Sequence, residues 1–155
     1  MIVTRGFAWG YLPFGFVLSV TDAWLSIQSI AGALGGSAFD YVAASVLGLF
    51  LTGFAVFLPA LRHAFRSALW GPLWLLFTVA DMGTSVLGGI WYGAMDKPFI
   101  EPIDFSRINY VPANWQNTLL YVTFVILVQA ACVTFGYAIL TLSQGINEAG
   151  AGQKP

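Results

Sequence analysis

Four long apolar stretches restrict what this chain can fold into. They cover roughly residues 6–30, 41–61, 68–93 and 118–142, each about 21 to 26 residues long. At a rise of about 1.5 Å per residue, a helix of that length crosses a hydrocarbon core about 30 Å thick. Hydrophobic residues make up 58% of the chain and charged residues only 8%, which is too little charge for a soluble domain. The sequence therefore predicts an all-α integral membrane protein with a single membrane domain over residues 1–155.

The number of spans and the basic residues outside them predict the orientation of the chain. An even number of spans places both termini on one side of the membrane. Arg5, Arg62, Arg66 and Lys154 fall on that side, and Lys97 and Arg107 fall on the other. Basic residues concentrate on the cytoplasmic side of membrane proteins. We therefore predict a four-transmembrane-helix up-down bundle, N-in and C-in, in a bacterial-type plasma membrane.

The segments outside the spans differ in length and composition. A glycine-rich turn over residues 31–40 joins the first two spans, and residues 94–117 form the one long loop, on the outer side. This loop alternates charged and apolar side chains and is too apolar for a free linker. We expect it to fold back on the bundle or to contact a partner. Residues 143–155 are small and polar, and we predict that they form a flexible tail.

The third span carries a single carboxylate, Asp81, at its centre. A charged acid at that depth costs roughly 2.5–3.5 kcal/mol on the insertion scale. Asp22 lies about three residues from the centre of the first span, or about 4.5 Å along a helix. Thr52 and Gln129 lie near the centres of the second and fourth spans. Every span therefore offers a polar side chain at nearly the same depth.

Small and polar residues also recur at intervals of three or four, which places them on one face of each helix. In the first span these residues are Gly15, Ser19, Asp22, Ser26 and Ser29. In the second they are Ser45, Gly48, Thr52, Ala55 and Pro59, and in the third Thr78, Asp81, Ser85 and Gly88 or Gly89. Small residues let membrane helices approach closely, and hydroxyl groups hydrogen-bond between them. We expect these polar seams to face one another or a partner, with the large apolar side chains towards lipid.

No lysine or arginine lies inside a span to pair with Asp22 or Asp81. The acids are expected to be protonated, to share one proton, to bind a cation or to face a water-filled cavity. The structural alternative is that they are neutral, hydrogen-bonded groups that only hold helices together. The candidate ion- or proton-binding residues are Asp81, Asp22, Gln129, Thr52, Ser85 and Ser26.

The sequence also argues against several common sites. His63 is the only histidine, which excludes a bis-histidine haem within one chain, and we interpret it as an interface residue. Cys132 is the only cysteine, so an internal disulfide is excluded. An intramembrane aspartyl protease would carry YD and GxGD motifs, whereas TD and AD surround the two aspartates here. We predict no enzyme activity, no cofactor, no metal site and no nucleic-acid partner.

Two functional hypotheses follow. The first is a small channel or a proton- or cation-coupled transporter, which works as a homo-oligomer because four spans enclose little room. The second is a non-catalytic accessory or assembly subunit of a larger membrane complex, held by the polar seams and the loop 94–117. Most tryptophans lie near the span ends and serve as interface anchors. Trp24 has the alternative role of lining a cavity or packing on a bound cation.

Overall fold

A computed structural model describes residues 5–65, 69–105 and 115–151, with the side chains of 58–65 and 146–151 left undescribed. The described residues form four α-helices: α1 (Arg5–Leu34), α2 (Ala38–Phe65), α3 (Trp70–Met95) and α4 (Trp115–Ala151). All four are long and apolar enough to cross a membrane. In a helix the backbone N–H and C=O groups bond to one another, which is necessary in a membrane because hydrocarbon offers them no hydrogen-bond partner. The all-helical fold predicted from the sequence is confirmed for the described residues, and the four helices fit the predicted multi-pass membrane protein.

The helices extend beyond the predicted spans at several ends. α1 continues to Leu34 and passes through Pro13 without interruption. α4 continues to Ala151, so that the first part of the predicted tail is helical. The side chains of Arg62, His63, Arg66, Arg107 and Lys154, on which much of the orientation argument depends, lie outside the described residues.

The turn between α1 and α2 owes its shape to two glycines and a capping box. Gly35 and Gly36 have φ values of 121° and 77°, which glycine adopts without the penalty of a Cβ atom. Both of their N–H groups donate to the carbonyl of Ala31. The Ser37 side chain then accepts from the Asp40 N–H while the Asp40 carboxylate accepts from the Ser37 N–H, at 3.3 and 2.9 Å. This reciprocal pair caps the start of α2.

Each helix packs against the other three, and the apolar core is divided into two clusters. We call the end of the bundle that carries the long loop the loop side, and the end that carries both chain termini the terminal side. The loop-side cluster contains Leu25, Trp91, Tyr92, Ile103 and Val125. The terminal-side cluster contains Val56, Val128, Cys132 and Phe135. Buried polar residues, including Asp22, Thr52, Asp81 and Gln129, stand at intermediate positions along their helices. Large apolar side chains such as Phe16, Leu49, Leu76 and Leu127 are exposed, as expected for lipid-facing surfaces.

Glycines of the seams bring the helices into close contact. A Cβ atom added to Gly15 would lie 2.6 Å from the Phe135 ring, and one added to Gly48 would lie 2.7 Å from Ile27. A Cβ atom at Gly93 would lie 2.5 Å from the backbone of Thr118. These seams therefore serve contacts within the chain, as small residues do between membrane helices.

The described part of the long loop, residues 96–105, lies on the bundle. Four side chains from three helices donate to its backbone carbonyls: Trp24 to Phe99, Trp91 to Asp104, Tyr92 to Glu101 and Tyr121 to Lys97. Phe99 also packs against Tyr92, Tyr121 and Phe124. Of the two alternatives predicted for this loop, folding back on the bundle is the one seen in these residues.

Candidate functional site

The centre of the bundle is organised around the carboxyl group of Asp81, which is fully buried. Each of the other three helices donates one hydrogen bond to it. Ser26 Oγ of α1 and Thr52 Oγ1 of α2 both lie 3.0 Å from Oδ1. Gln129 Nε2 of α4 lies 3.2 Å from Oδ2. One side chain of α3 thus ties together all four helices.

Asp22 of α1 is also fully buried, but it has far fewer donors. Ser85 Oγ donates to Asp22 Oδ1 at 2.8 Å, while Asp22 Oδ2 is buried without a hydrogen-bond partner. The carboxyl groups of Asp22 and Asp81, here called the acid pair, are close enough to repel each other when both are ionised. The two neighbouring acids therefore differ strongly in the number of donors that surround them.

Two hydroxyl groups form a bridge between the members of the acid pair. Ser26 Oγ, which donates to Asp81, lies 3.0 Å from Ser85 Oγ, and Ser85 Oγ contacts Asp22. While Ser26 donates to Asp81 and Ser85 donates to Asp22, neither hydroxyl group has a proton left for the other. A proton on Asp22 Oδ1 completes the path, because Ser85 then accepts from Asp22 and donates to Ser26, which donates to Asp81. Because a hydroxyl group both donates and accepts, this bridge can reverse its direction when a proton moves.

A second buried acceptor beside the acid pair also lacks a partner. Gln129 donates to Asp81 through its amide nitrogen, but its Oε1 atom is buried without a donor. Buried polar atoms in native proteins are nearly always paired with protein or with water. A proton on Asp22 Oδ2 would turn one of these two unpaired acceptors into a donor. When both acids are ionised, two buried acceptors at the site therefore lack a donor.

The structure brings all six predicted residues into one network: Asp22, Ser26, Thr52, Asp81, Ser85 and Gln129. The common depth of four of them (Asp22, Thr52, Asp81 and Gln129) and the seam spacing of Ser26 and Ser85 were the signals that led to them. Sequence analysis missed Thr84, whose hydroxyl lies 2.8 Å from Ser26 Oγ and donates to the Asp81 carbonyl. Its position three residues after Asp81 would place it beside that residue on a helix.

Trp24 lines a groove that is also lined by Thr52, one of the donors to Asp81. This groove is apolar, has a volume of about 360 Å³ and lies between α1 and α2, with Phe16, Leu49 and Phe135 also in its lining. The Trp24 indole N–H donates to the Phe99 carbonyl at 2.9 Å. Of the two alternatives to interface anchoring predicted for Trp24, lining a cavity is therefore seen in the structure.

The acid pair offers oxygen ligands but little else to a metal. Within the described part of the chain, no three His, Cys, Asp or Glu side chains come together. Cys132 is buried in the terminal-side cluster as a free thiol. The network is thus built from carboxyl, hydroxyl and amide groups, of which the carboxyl groups can bind a proton and the hydroxyl groups can relay it.

Comparison with known proteins adds no functional information. The chain matched no protein-family model, no curated protein and no solved structure. The function proposed below therefore depends on the geometry of the acid pair and its hydrogen-bonded neighbours.

Proposed function

We propose that this protein is a proton-coupled membrane transporter or channel in which the acid pair binds and releases a single proton. The observation that carries the proposal is the unequal supply of donors to the two acids. Asp81 accepts three side-chain hydrogen bonds, whereas Asp22 accepts one and leaves Oδ2 unpaired. Donors favour the ionised form of an acid, and burial without donors favours the neutral form. The resting pair therefore holds one proton, on Asp22.

The surroundings of the pair support a mobile proton. No basic residue lies inside a predicted span, so the ionised pair has no fixed positive charge to neutralise it. The Ser26 and Ser85 hydroxyl groups supply a route by which the proton can pass between the acids. Intramembrane acids that lack a basic partner commonly mark proton or ion pathways. The same network therefore serves both to hold the helices and to carry the proton.

The proposal places the four helices up and down across a bacterial-type plasma membrane, with both termini in the cytoplasm. The four-to-two distribution of basic residues supports that orientation. Because four helices packed on one another enclose little room, we propose that the transported species passes at an interface between copies of the chain.

Proton flux into liposomes tests the proposal. Purified protein would be reconstituted with a pH-sensitive dye inside the vesicles, and a pH gradient would be applied. We expect Asp22→Asn to reduce the flux to that of protein-free vesicles, because an amide cannot exchange a proton at neutral pH. Asp81→Asn is expected to do the same, since it removes the acceptor that receives the proton.

Asp40→Asn is the matched control. Asp40 lies in the first turn of α2, where its side chain caps the helix, and asparagine also suits a helix N-terminus. Flux through this variant should equal that of the unmodified protein. Wild-type flux in both Asp22→Asn and Asp81→Asn would contradict the transport proposal.

The second candidate function is an accessory subunit of a larger membrane complex, and a separate observation favours it. Gly6 and Gly10 lie one helical turn apart on α1, and space beside both is open. Paired small residues of this kind allow another membrane helix to approach. Replacement of both by leucine should release a bound partner, or a second copy, as measured by cross-linking in native membranes. Unchanged cross-linking would remove the support that these glycines give.

A further inference from the structure

α3 carries a line of polar groups that begins near its first residues and ends at the acid pair. Trp74, Thr78, Asp81 and Ser85 are spaced four, three and four residues apart, which places them on one face of the helix. The indole N–H of Trp74 and the hydroxyl group of Thr78 are both buried without a hydrogen-bond partner. Along the helix axis these residues lie about 10.5 Å and about 4.5 Å from Asp81.

The Thr78 hydroxyl differs from other helical hydroxyls in this chain. Ser19, Ser45, Thr21, Thr134 and Thr141 each donate to the carbonyl four residues earlier. Such a bond satisfies a hydroxyl group where no other partner is present. Thr78 makes no such bond. Its hydroxyl group is therefore buried with its hydrogen-bonding capacity unused, which a water molecule beside the helix would satisfy.

The apolar cluster on the terminal side does not include this face of α3. The terminal-side cluster is formed by residues of α2 and α4, with partly buried side chains of α1 and α4 against it, and no described residue of α3 belongs to it. Buried polar atoms without protein partners are characteristically satisfied by ordered water. Trp74 and Thr78 supply two such atoms in sequence between the start of α3 and Asp81.

On the loop side, a pocket of about 500 Å³ opens between the turn after α1 and the long loop, and Ile103 forms part of its lining. Ile103 is 2% exposed and packs directly against Gly32 of α1, where an added Cβ atom would lie 2.7 Å from its side chain. Its Cδ1 atom also lies next to Gly88 of α3. The unpaired Ser29 hydroxyl lies beside Gly88 as well. The polar groups thus end at Ser29, and Ile103 covers the gap between α1 and α3.

We infer that the acid pair exchanges its proton with the terminal side of the membrane only, through water held along α3 by Thr78 and Trp74, while Ile103 closes the loop side. This inference depends on the proposed function for its physiological meaning, but the access route itself is a separate physical property. In this route Thr78 is a positioning residue that holds water, and Asp22 and Asp81 are the groups that carry the proton.

Silver ions test the route because they are small, cross lipid poorly and bind thiols tightly. Thr78→Cys and Ser29→Cys would each be made in a Cys132→Ala background, since Cys132 is the only native thiol. Vesicles of known orientation would receive Ag⁺ on one side. After quenching and denaturation, a maleimide would report the thiols that silver had not blocked. A Gly6→Cys variant, at the exposed start of α1, is the positive control for terminal-side access.

We expect terminal-side Ag⁺ to block the thiol at position 78 and to leave the thiol at position 29 free. Ag⁺ on the loop side should block neither. Blocking at position 78 from the loop side, or no blocking from the terminal side while position 6 is blocked, would overturn the inference. These results do not depend on proton flux, so a protein without flux would refute the proposed function and leave the access route to be judged by silver alone.

Thr78→Val provides a second measurement in the native background. Valine keeps the shape of threonine but cannot hold water, so flux should fall by about tenfold, as expected when one hydrogen-bonding group is lost from a path. Thr21→Val is the matched control, because the Thr21 hydroxyl already donates to the Val17 carbonyl on an exposed surface. Equal flux in the two variants would show that the Thr78 hydroxyl group does not contribute to the proton path.

Discussion

The loop-side and terminal-side halves of the bundle are built differently around the same acid pair. On the loop side, aromatic side chains from three helices hold residues 96–105 by their backbone carbonyls, and Ile103 fills the space between α1 and α3. On the terminal side, α3 contributes no described residue to the apolar cluster. It presents instead the unpaired polar atoms of Trp74 and Thr78.

This contrast shows how a small bundle can control access to a buried acid. Hydrocarbon offers no hydrogen bonds, so each polar group inside a membrane protein must find a partner in protein or in water. On the loop side backbone carbonyls pair the aromatic N–H and O–H groups, Ser29 is the described group that lacks a partner, and Ile103 fills the gap between α1 and α3. On the terminal side Trp74 and Thr78 each bury a polar atom without a protein partner, and the proposed water route runs along them.

Ile103→Ala should give the largest effect, because it removes the side chain that closes the loop side. Loss of a buried isoleucine typically lowers the free energy of unfolding by about 2–5 kcal/mol. Denaturation of the detergent-solubilised protein, followed by circular dichroism, would measure this. The variant should also let loop-side Ag⁺ reach a cysteine at position 29.

Ile100→Ala is the control for this prediction, since Ile100 lies in the same loop and is 78% exposed. Its stability should change by no more than about 0.5 kcal/mol. If both variants unfold alike and position 29 stays protected, Ile103 is not the closure, and the contrast between the two halves would lose its main support.

A pair of glycine variants on α3 should sharpen the contrast with a smaller effect. Gly93→Ala would place a Cβ atom 2.5 Å from the Thr118 backbone, whereas the space beside Gly71 is open. Overpacking of a tight contact costs about 1–3 kcal/mol. Gly71→Ala should leave the stability unchanged or raise it by up to about 1 kcal/mol, because alanine is the better helix former.

Both variants would be measured by the same denaturation experiment. Equal destabilisation by Gly93→Ala and Gly71→Ala would mean that α3 packs as tightly on the terminal side as on the loop side. In that case the space assigned to water along Trp74 and Thr78 would not exist.

Much of the site was predictable from the sequence, because depth in a membrane span can be counted. Asp22, Thr52, Asp81 and Gln129 were expected at one depth, and the spacing of the seams predicted which face of each helix packs against the others. What could not be predicted was the assignment of donors. Periodicity places Ser26 and Ser85 on the right faces, but it does not say that one serves Asp81 and the other Asp22.

The loop and the asymmetry of the two halves were less accessible to sequence analysis. The apolar residues of the loop predicted contact with the bundle or with a partner, but nothing identified Ile103 as a buried residue. That burial depends on the absence of side chains at Gly32 and Gly88, which are far apart in sequence. Likewise, the seam pattern includes Thr78 without showing that its hydroxyl group lacks the usual backbone bond.

Infrared spectroscopy of the carboxyl groups tests the central claim most directly. A carboxyl group with its ordinary pKa is ionised at neutral pH, so a protonated carboxyl C=O band reports acids in unusual, buried surroundings. The account predicts one such band, with the intensity of a single residue, that is lost in Asp22→Asn and kept in Asp81→Asn. No protonated band in the unmodified protein, a band of twice that intensity, or a band that survives in Asp22→Asn would contradict it.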